Sequence, residues 1–205
     1  MNARRLIAAF LVAPAILLAG VAVQRSARGE APASLAGRLL VATPAMTDAR
    51  FAGTVILMVR HGPKGALGFV VNRIRGRRPI AEILHALSMD TGGIKGDIDI
   101  HWGGPVGRES AVVVHSRDYR IASTELTIGG LAMTGSPKIL AEIGRGRGPK
   151  RFLFVRGYAG WGPGQLEREV QSKHWITIPG DHALTFRRNH TDTWQRAFKR
   201  RGVDL

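Results

Sequence analysis

Two hydrophobic periods run along this chain, and the switches between them outline its elements. Leu39-Leu40-Val41-Ala42 is a short apolar run closed by Pro44, which reads as a buried strand and a turn. Thr54 to Arg60 is β-branched and apolar along its length, the pattern of a strand covered on both faces. His61-Gly62-Pro63-Lys64-Gly65 reads as a turn and Ala66 to Asn72 as a second such strand, so the pair predicts a hairpin. Asp97 to Trp102 alternates strictly, as a strand with one solvated face does. Ala111 to His115 and Arg151 to Arg156 add two more strands. Helical spacing sets Ile80, Ile83, Leu84 and Leu87 on one face behind Pro79, and Asp90 to Gly96 reads as loop.

Three helix starts carry chemical signals. Ser136 before Pro137 is an N-cap with proline in the first turn, and Gly144 can end that helix. Gly162-Pro163 opens a helical segment through Ser172. Asp192 with Gln195 makes a capping-box pattern, and Gly202 lies past its end. Strands and helices mix without a regular strand–helix–strand period or an internal repeat, so the predicted class is α+β.

The first 34 residues read as a separate unit. Arg4 and Arg5 precede eighteen uncharged residues, Leu6 to Val23, the layout of a secretory signal or an N-terminal anchor. That length is short for a bilayer span, and Pro14 interrupts it. Gly20-Val21-Ala22 offers a small-residue cleavage site. Residues 1–23 are therefore expected to be a signal or anchor segment, 24–34 a linker, and 35–205 the folded domain. The expected location is the periplasm, or the inner membrane through residues 6–23. A start codon assigned too far upstream would instead leave a cytoplasmic protein.

Composition narrows the chemistry. Hydrophobic content of 44% with 22% charged residues fits a folded domain. There is no cysteine, which excludes disulfides, thiolate metal sites and cysteine nucleophiles. Thirty Lys+Arg against fifteen Asp+Glu give a net charge of +15. The first 34 residues carry Arg4, Arg5, Arg25 and Arg28 against Glu30, so +12 stays with the domain. Such a field favours an anionic lipid surface, an acidic protein or nucleic acid. It also fits the arginine-rich codon usage of a GC-rich genome.

Gly157-Tyr-Ala-Gly-Trp-Gly-Pro-Gly-Gln-Leu-Glu-Arg-Glu169 sets four glycines around two aromatics in its first eight residues, then opens into a helix-forming segment. Such density points to backbone at positive φ or in close approach to another surface, and the run reads as a tight loop anchored by Tyr158 and Trp161. With Trp175, it is one of five segments that together resemble the AlgH/YqgE family of bacterial proteins. The others are Gly37-Arg-Leu-Leu-Val-Ala-Thr-Pro-Ala-Met46, His61-Gly-Pro-Lys-Gly-Ala-Leu-Gly-Phe-Val-Val-Asn72, Gly103-Gly-Pro-Val106 with His115, and Trp194 through Gly202-Val-Asp-Leu205. The resemblance covers about residues 35 to 205. It implies an α+β domain whose bent, mostly antiparallel sheet curls into a partial barrel with flanking helices, and it implies no established enzymatic activity. Some members are described as transcriptional regulators. Three departures stand out: Arg60 where the family usually has glutamate, a longer basic connection at Arg73-Ile-Arg-Gly-Arg-Arg78, and the leader.

Candidate chemistry is sparse. Asp97, Asp99 and His101 share one face of a strand, where they could bind a divalent metal or run acid–base chemistry. Alternation alone also explains them, as the polar face of an edge strand with Ile98, Ile100 and Trp102 facing the core. The seven histidines show no metalloprotease spacing, and no Gly-x-Ser-x-Gly elbow is present. His115 reads as a hydrogen-bonded histidine at the core edge, and His61 as capping its turn. The N–H groups at Gly162 to Gly164 could hold an anion. No catalytic, cofactor-binding or metal residue is assigned, and no cofactor is implied. Arg73, Arg75, Arg77 and Arg78 are the candidate anion-binding residues, with further basic stretches at Arg145 to Arg151 and Arg196 to Arg201. The expected role is a non-enzymatic interaction protein of the cell envelope. The alternatives are a regulator that binds nucleic acid through its arginine-rich loops, and an unrecognised hydrolase or metal enzyme.

The leader generates a test: a reporter that works only in the periplasm, fused after Leu205, should be active. Activity from a cytoplasm-only reporter at that position would overturn export.

Overall fold

The computed structural model describes residues 34–126, 129–187, 190 and 192–201. The leader, all of the linker but Ser34, and Gly202 to Leu205 lie outside the described residues. No helix among the described residues is long and apolar enough to cross a membrane. The elements in order are β1 (Leu39–Ala42), β2 (Val55–Gly62), β3 (Gly65–Val70), β4 (Ile74–Pro79), α1 (Ile80–Ala86), β5 (Asp97–Trp102), β6 (Val106–Ser116) and β7 (Thr124–Leu126). There follow β8 (Leu131–Thr134), α2 (Lys138–Gly144), β9 (Phe152–Trp161), α3 (Gln165–Gln171), β10 (Trp175–Ile178), α4 (His182–Thr185) and α5 (Thr193–Lys199).

The strands form an open, branched sheet in the order β10-β1-β2-β3-β9-β6-β8-β7, with β5 beside β9 and β4 beside β5. The β5–β9 pairing is parallel; the other pairings are antiparallel. β9 is the junction. Its Phe154 to Arg156 pair with β5 on one side and β6 on the other, while Ala159 to Trp161 pair with β3.

Three cores follow from the residues that alternate along these strands. Leu39, Val41, Leu57, Phe69, Val114 and Val155 converge on one core that Leu184 and Ala197 of α4 and α5 complete. Both halves of the sheet feed that core, so its face is concave. On the opposite face of β1 to β3, Leu40, Ile56, Met58 and Val70 pack with Leu166 of α3, Trp161 and Trp175. Behind β5, β6 and β9, Ile98, Val113 and Phe154 pack with Ile80 and Leu84 of α1 and Ile139 and Leu140 of α2. β2 reads as one apolar run because it lies between the first two cores. The class is α+β, with a bent, mostly antiparallel sheet and flanking helices, as the resemblance implied.

Several expectations are corrected. The glycine-rich run is not a loop from Gly157: it is strand through Trp161, and α3 starts at Gln165. Gly157 (φ +69) is where β9 turns from β5 toward β3, and a Cβ there would meet the Gly104 carbonyl oxygen at 2.6 Å and that of Val106 at 2.9 Å. From the other side, a Cβ on Gly103 would collide with the Gly157 carbonyl, and one on Gly104 with the Tyr158 backbone. Two backbones cross here with no room for side chains. The basic Arg73–Arg78 connection is largely strand β4, an exposed edge whose charges deter further pairing. β4 covers β5, so β5 is internal rather than an edge. Leu87 caps α1 and is 52% exposed, off the packed face that Ile80 and Leu84 supply.

The crossing generates a prediction by thermal unfolding. Gly104→Ala and Gly157→Val should each cost about 4 kcal/mol or more, a fall in Tm of roughly 8–16 °C for a domain of this size. Gly162→Ala, whose added Cβ meets only Gln165 Oε1 at 3.9 Å, should change stability by less than about 0.5 kcal/mol.

Candidate functional site

The arginine run does not form one cluster. Arg73 donates to the backbone carbonyls of Arg50 (2.5 Å) and Ala52 (2.6 Å), fixing the 50–52 turn to the sheet. Burial, then the neighbouring Arg75, lower its pKa from the ordinary guanidinium value. Arg77 faces Asp97 and Asp99 at 3.4 Å each, and Arg78 faces Glu82 at 3.6 Å. Arg75 alone of the four has no carboxylate or carbonyl partner among the described residues. Its guanidinium lies 6.0 Å from the Trp102 ring centroid, with that of Arg73 at 5.6 Å. These distances fit weak cation–π contacts.

Beside Trp102 the register of β6 slips: Val106 pairs with Tyr158 but Ala111 with Arg156, so Gly107 to Ser110 bulge outward. Arg156 steadies the bulge by donating to the Arg108 carbonyl (3.1 Å) and to Glu109 (3.3 Å). The result is a shallow cavity of about 460 Å³ lined by Arg75, Trp102, Arg108, Glu109 and Arg156. Sequence reasoning missed Arg108 and Arg156 because they stand alone in sequence, outside any basic run, and only the β6–β9 pairing brings them to Trp102.

On the other face of β5, Asp97, Asp99 and His101 do share one side, as their alternation foretold. They line a polar cavity of about 470 Å³ with Arg77, Lys150, Arg151, Phe186, Arg187 and His190. Both carboxylates are taken by Arg77, so the pattern is an ion-pair face. Among the described residues no group of three His, Asp or Glu could hold a metal ion. His101 is 3% exposed and meets His190, with 3.4 Å between their Nε2 atoms and the rings at 72°. Burial, then His190, push the His101 pKa down to about 4, and burial lowers that of His190. Nothing in the sequence links His190 to β5. His190 stands 89 residues from His101, and only the folded chain brings the two together.

The remaining candidates are structural. His115 Nδ1–H donates to the Ser116 carbonyl (2.8 Å), and its Nε2 accepts from Thr134 (2.9 Å), which also contacts Thr124. It is the hydrogen-bonded histidine expected. His61 does more than cap a turn: its Nδ1 accepts the Leu35 N–H at 3.1 Å, and Nε2–H faces Glu167 at 3.1 Å, tying the domain's start to α3. Glu169 Oε2 accepts from Trp161 (2.9 Å) and Trp175 (2.8 Å), while Oε1 accepts from Gln165 (2.8 Å). Gln165 Oε1 in turn takes the Gly162 N–H at 3.1 Å, so that expected anion donor is already occupied. Asp192 binds Arg187 (2.8 Å) and Arg196 (2.6 Å), which lower its pKa to about 2.

The residues of the five segments thus join strands, turns and helices into one frame, and the comparison with known proteins rests on that frame. The AlgH-like family model matches residues 39–205. This chain belongs to that family. A UPF0301 protein of Afipia carboxidovorans is 40% identical over 179 residues, covering 83% of this chain and 85% of the relative. One from Stenotrophomonas maltophilia is 41% identical over 178 residues, covering 85% and 93%. The solution structure of the AlgH protein from Pseudomonas aeruginosa is similar at a TM-score of 0.69 and 38% identity, covering 86% of this chain and 93% of that one. A crystal structure from Corynebacterium diphtheriae, 22% identical, shares the fold at a TM-score of 0.63, with 85% and 88% covered. The function of the UPF0301 family is uncharacterised, so these matches give a fold and a lineage.

The buried imidazoles generate a pH prediction. A histidine whose folded pKa is depressed binds protons more readily when unfolded. Stability is therefore full above the ordinary value near 6.5 and falls as pH drops toward the folded value. With His101 at about 4, its share of the loss between pH 7 and pH 5 is about 2 kcal/mol. Chemical denaturation at the two pH values should show a loss of at least this size, reduced by that amount in His101→Gln.

Proposed function

We propose that this domain is a non-enzymatic interaction module of the cell envelope that rests an arginine-lined face on an anionic lipid surface. The observation that carries this reading is the placement of Arg75 and Arg108, without carboxylate partners among the described residues, beside Arg156 and Trp102. Unpaired guanidinium groups contribute most where phosphate oxygens replace their hydration. An indole at their centre suits the boundary between headgroups and acyl chains. The domain's +12 adds long-range attraction, and the uncharged run Leu6 to Val23 would hold the chain at, or deliver it across, the same membrane. Of the four arginines in the 73–78 run, Arg75 is the one that acts here; Arg73, Arg77 and Arg78 serve the sheet. The non-enzymatic part of the reading is supported by the pairing of Asp97 and Asp99 with Arg77 and by the saturation of His115 with hydrogen bonds.

Vesicle co-sedimentation of residues 35–205 tests this. Binding to vesicles rich in anionic lipid should exceed binding to neutral ones and weaken as salt rises. Arg75→Gln with Arg108→Gln should cost about 2 kcal/mol, roughly thirtyfold in partition, at about 1 kcal/mol per residue. The reading fails if the double variant partitions like the wild type. Nanomolar, sequence-selective binding to duplex DNA that survives physiological salt would favour a regulator instead.

A further inference from the structure

His101 lines both cavities, and its contact with His190 has its own geometry. Its Nε2–Nε2 separation of 3.4 Å is longer than the roughly 2.7–3.2 Å of a well-formed N–H hydrogen bond. It matches another arrangement. Two imidazole nitrogens bound to one tetrahedral ion at about 2.0–2.1 Å stand about 3.4 Å apart. The two rings stand at 72° with 5.0 Å between centroids, so one ion could lie between the Nε2 atoms with a small ring rotation.

We propose that His101 and His190 form a two-imidazole site for a first-row divalent transition metal ion, with its remaining coordination positions filled by water from the adjoining cavity. Three features support the assignment. His101 sits on β5, 3% exposed, which gives the site one rigid ligand. The backbone carbonyls of Phe154 and Asp99 lie beside the His101 ring. With both Nε2 atoms on a metal, both Nδ1 atoms carry hydrogen, and such carbonyls are the usual acceptors. In this structure both Nδ1 atoms are buried without a hydrogen-bond partner, and for His101 a ring rotation toward those carbonyls would satisfy a donor now unmet.

The charged surroundings set the selectivity. Arg77 with Asp97 and Asp99, Lys150, Arg151, and Arg187 with Asp192 surround the cavity or its rim. This set is not acidic, so a hard cation such as Mg²⁺ or Ca²⁺ finds no oxygen cage. Imidazole nitrogen instead favours zinc, nickel, copper or cobalt. The ion would also tie His190 to β5, which couples binding to stability.

Titrating the metal-free full chain with Zn²⁺, by calorimetry and by thermal unfolding, tests the assignment. The expected result is one Zn²⁺ per chain with a raised Tm, no response to Mg²⁺, and affinity reduced by roughly tenfold or more in His190→Ala. His190 is partly exposed, so this variant should fold, and circular dichroism checks that it does. His85→Ala, which removes an exposed histidine of α1, should bind as the wild type does. The assignment is overturned if the wild type binds no Zn²⁺ at this stoichiometry, or if His190→Ala binds it equally well.

Discussion

The crossing of Gly103-Gly104 over Gly157-Tyr158 is the constraint on which the rest of this fold depends. The Val70 N–H donates to the Gly103 carbonyl at 2.9 Å, and the Gly103 N–H donates to that of Arg156 at 2.8 Å. Strand β3, the end of β5 and the bend of β9 are thus joined at one point by backbone alone. Because the chains touch without side chains between them, β9 can leave β5 and join β3 within a few residues. That turn makes the sheet concave and lets both halves feed one core. The same point positions both candidate sites. Trp102 and His101 immediately precede Gly103, on opposite faces of β5, and Arg156 immediately precedes Gly157.

A second tier of polar contacts holds the periphery to this frame. Glu169 gathers two indole N–H groups and Gln165, and so docks α3 against both β9 and β10. Trp194 of α5 reaches the Ala42 carbonyl at 2.7 Å, closing the open side of the concave core. These are residues of the segments that carry the family resemblance. Their roles are architectural, which explains why the resemblance specifies a fold so well and a function so little. The charged face around Trp102 and the His101–His190 contact use other residues: Arg75, Arg108, Arg156 and His190 lie outside those segments.

How much the sequence revealed follows from the range of the forces involved. The runs at Leu39, Val55 and Ala66 were legible as strands because burial on both faces leaves an unbroken apolar record. α1, α2 and α3 were legible from local signals at Pro79, Ser136-Pro137 and Gly162-Pro163. β4 was not, because an exposed edge strand of Ile-Arg-Gly-Arg-Arg-Pro has no apolar face to show. β10 went unread as well, since its Trp175 and Ile178 are buried by partners far away in sequence. The glycine-rich run was correctly seen as a place of close approach. Its partner, Gly103-Gly104, lies some fifty residues earlier and appears only in three dimensions. The same holds for the sites. Asp97, Asp99 and His101 showed their shared face through alternation, whereas Arg77 took the carboxylates and His190 met the imidazole through pairing at long range.

Native-state hydrogen exchange tests the central place of the glycine crossing most directly. If the crossing is the keystone, the amides of Val70, Gly103 and the middle of β9 exchange only through global unfolding, with one shared free energy equal to that from chemical denaturation. Helices α4 and α5 then open earlier, at lower free energy. Exchange at Val70 and Gly103 through a local opening, while β1 and β2 remain fully protected, would contradict the account.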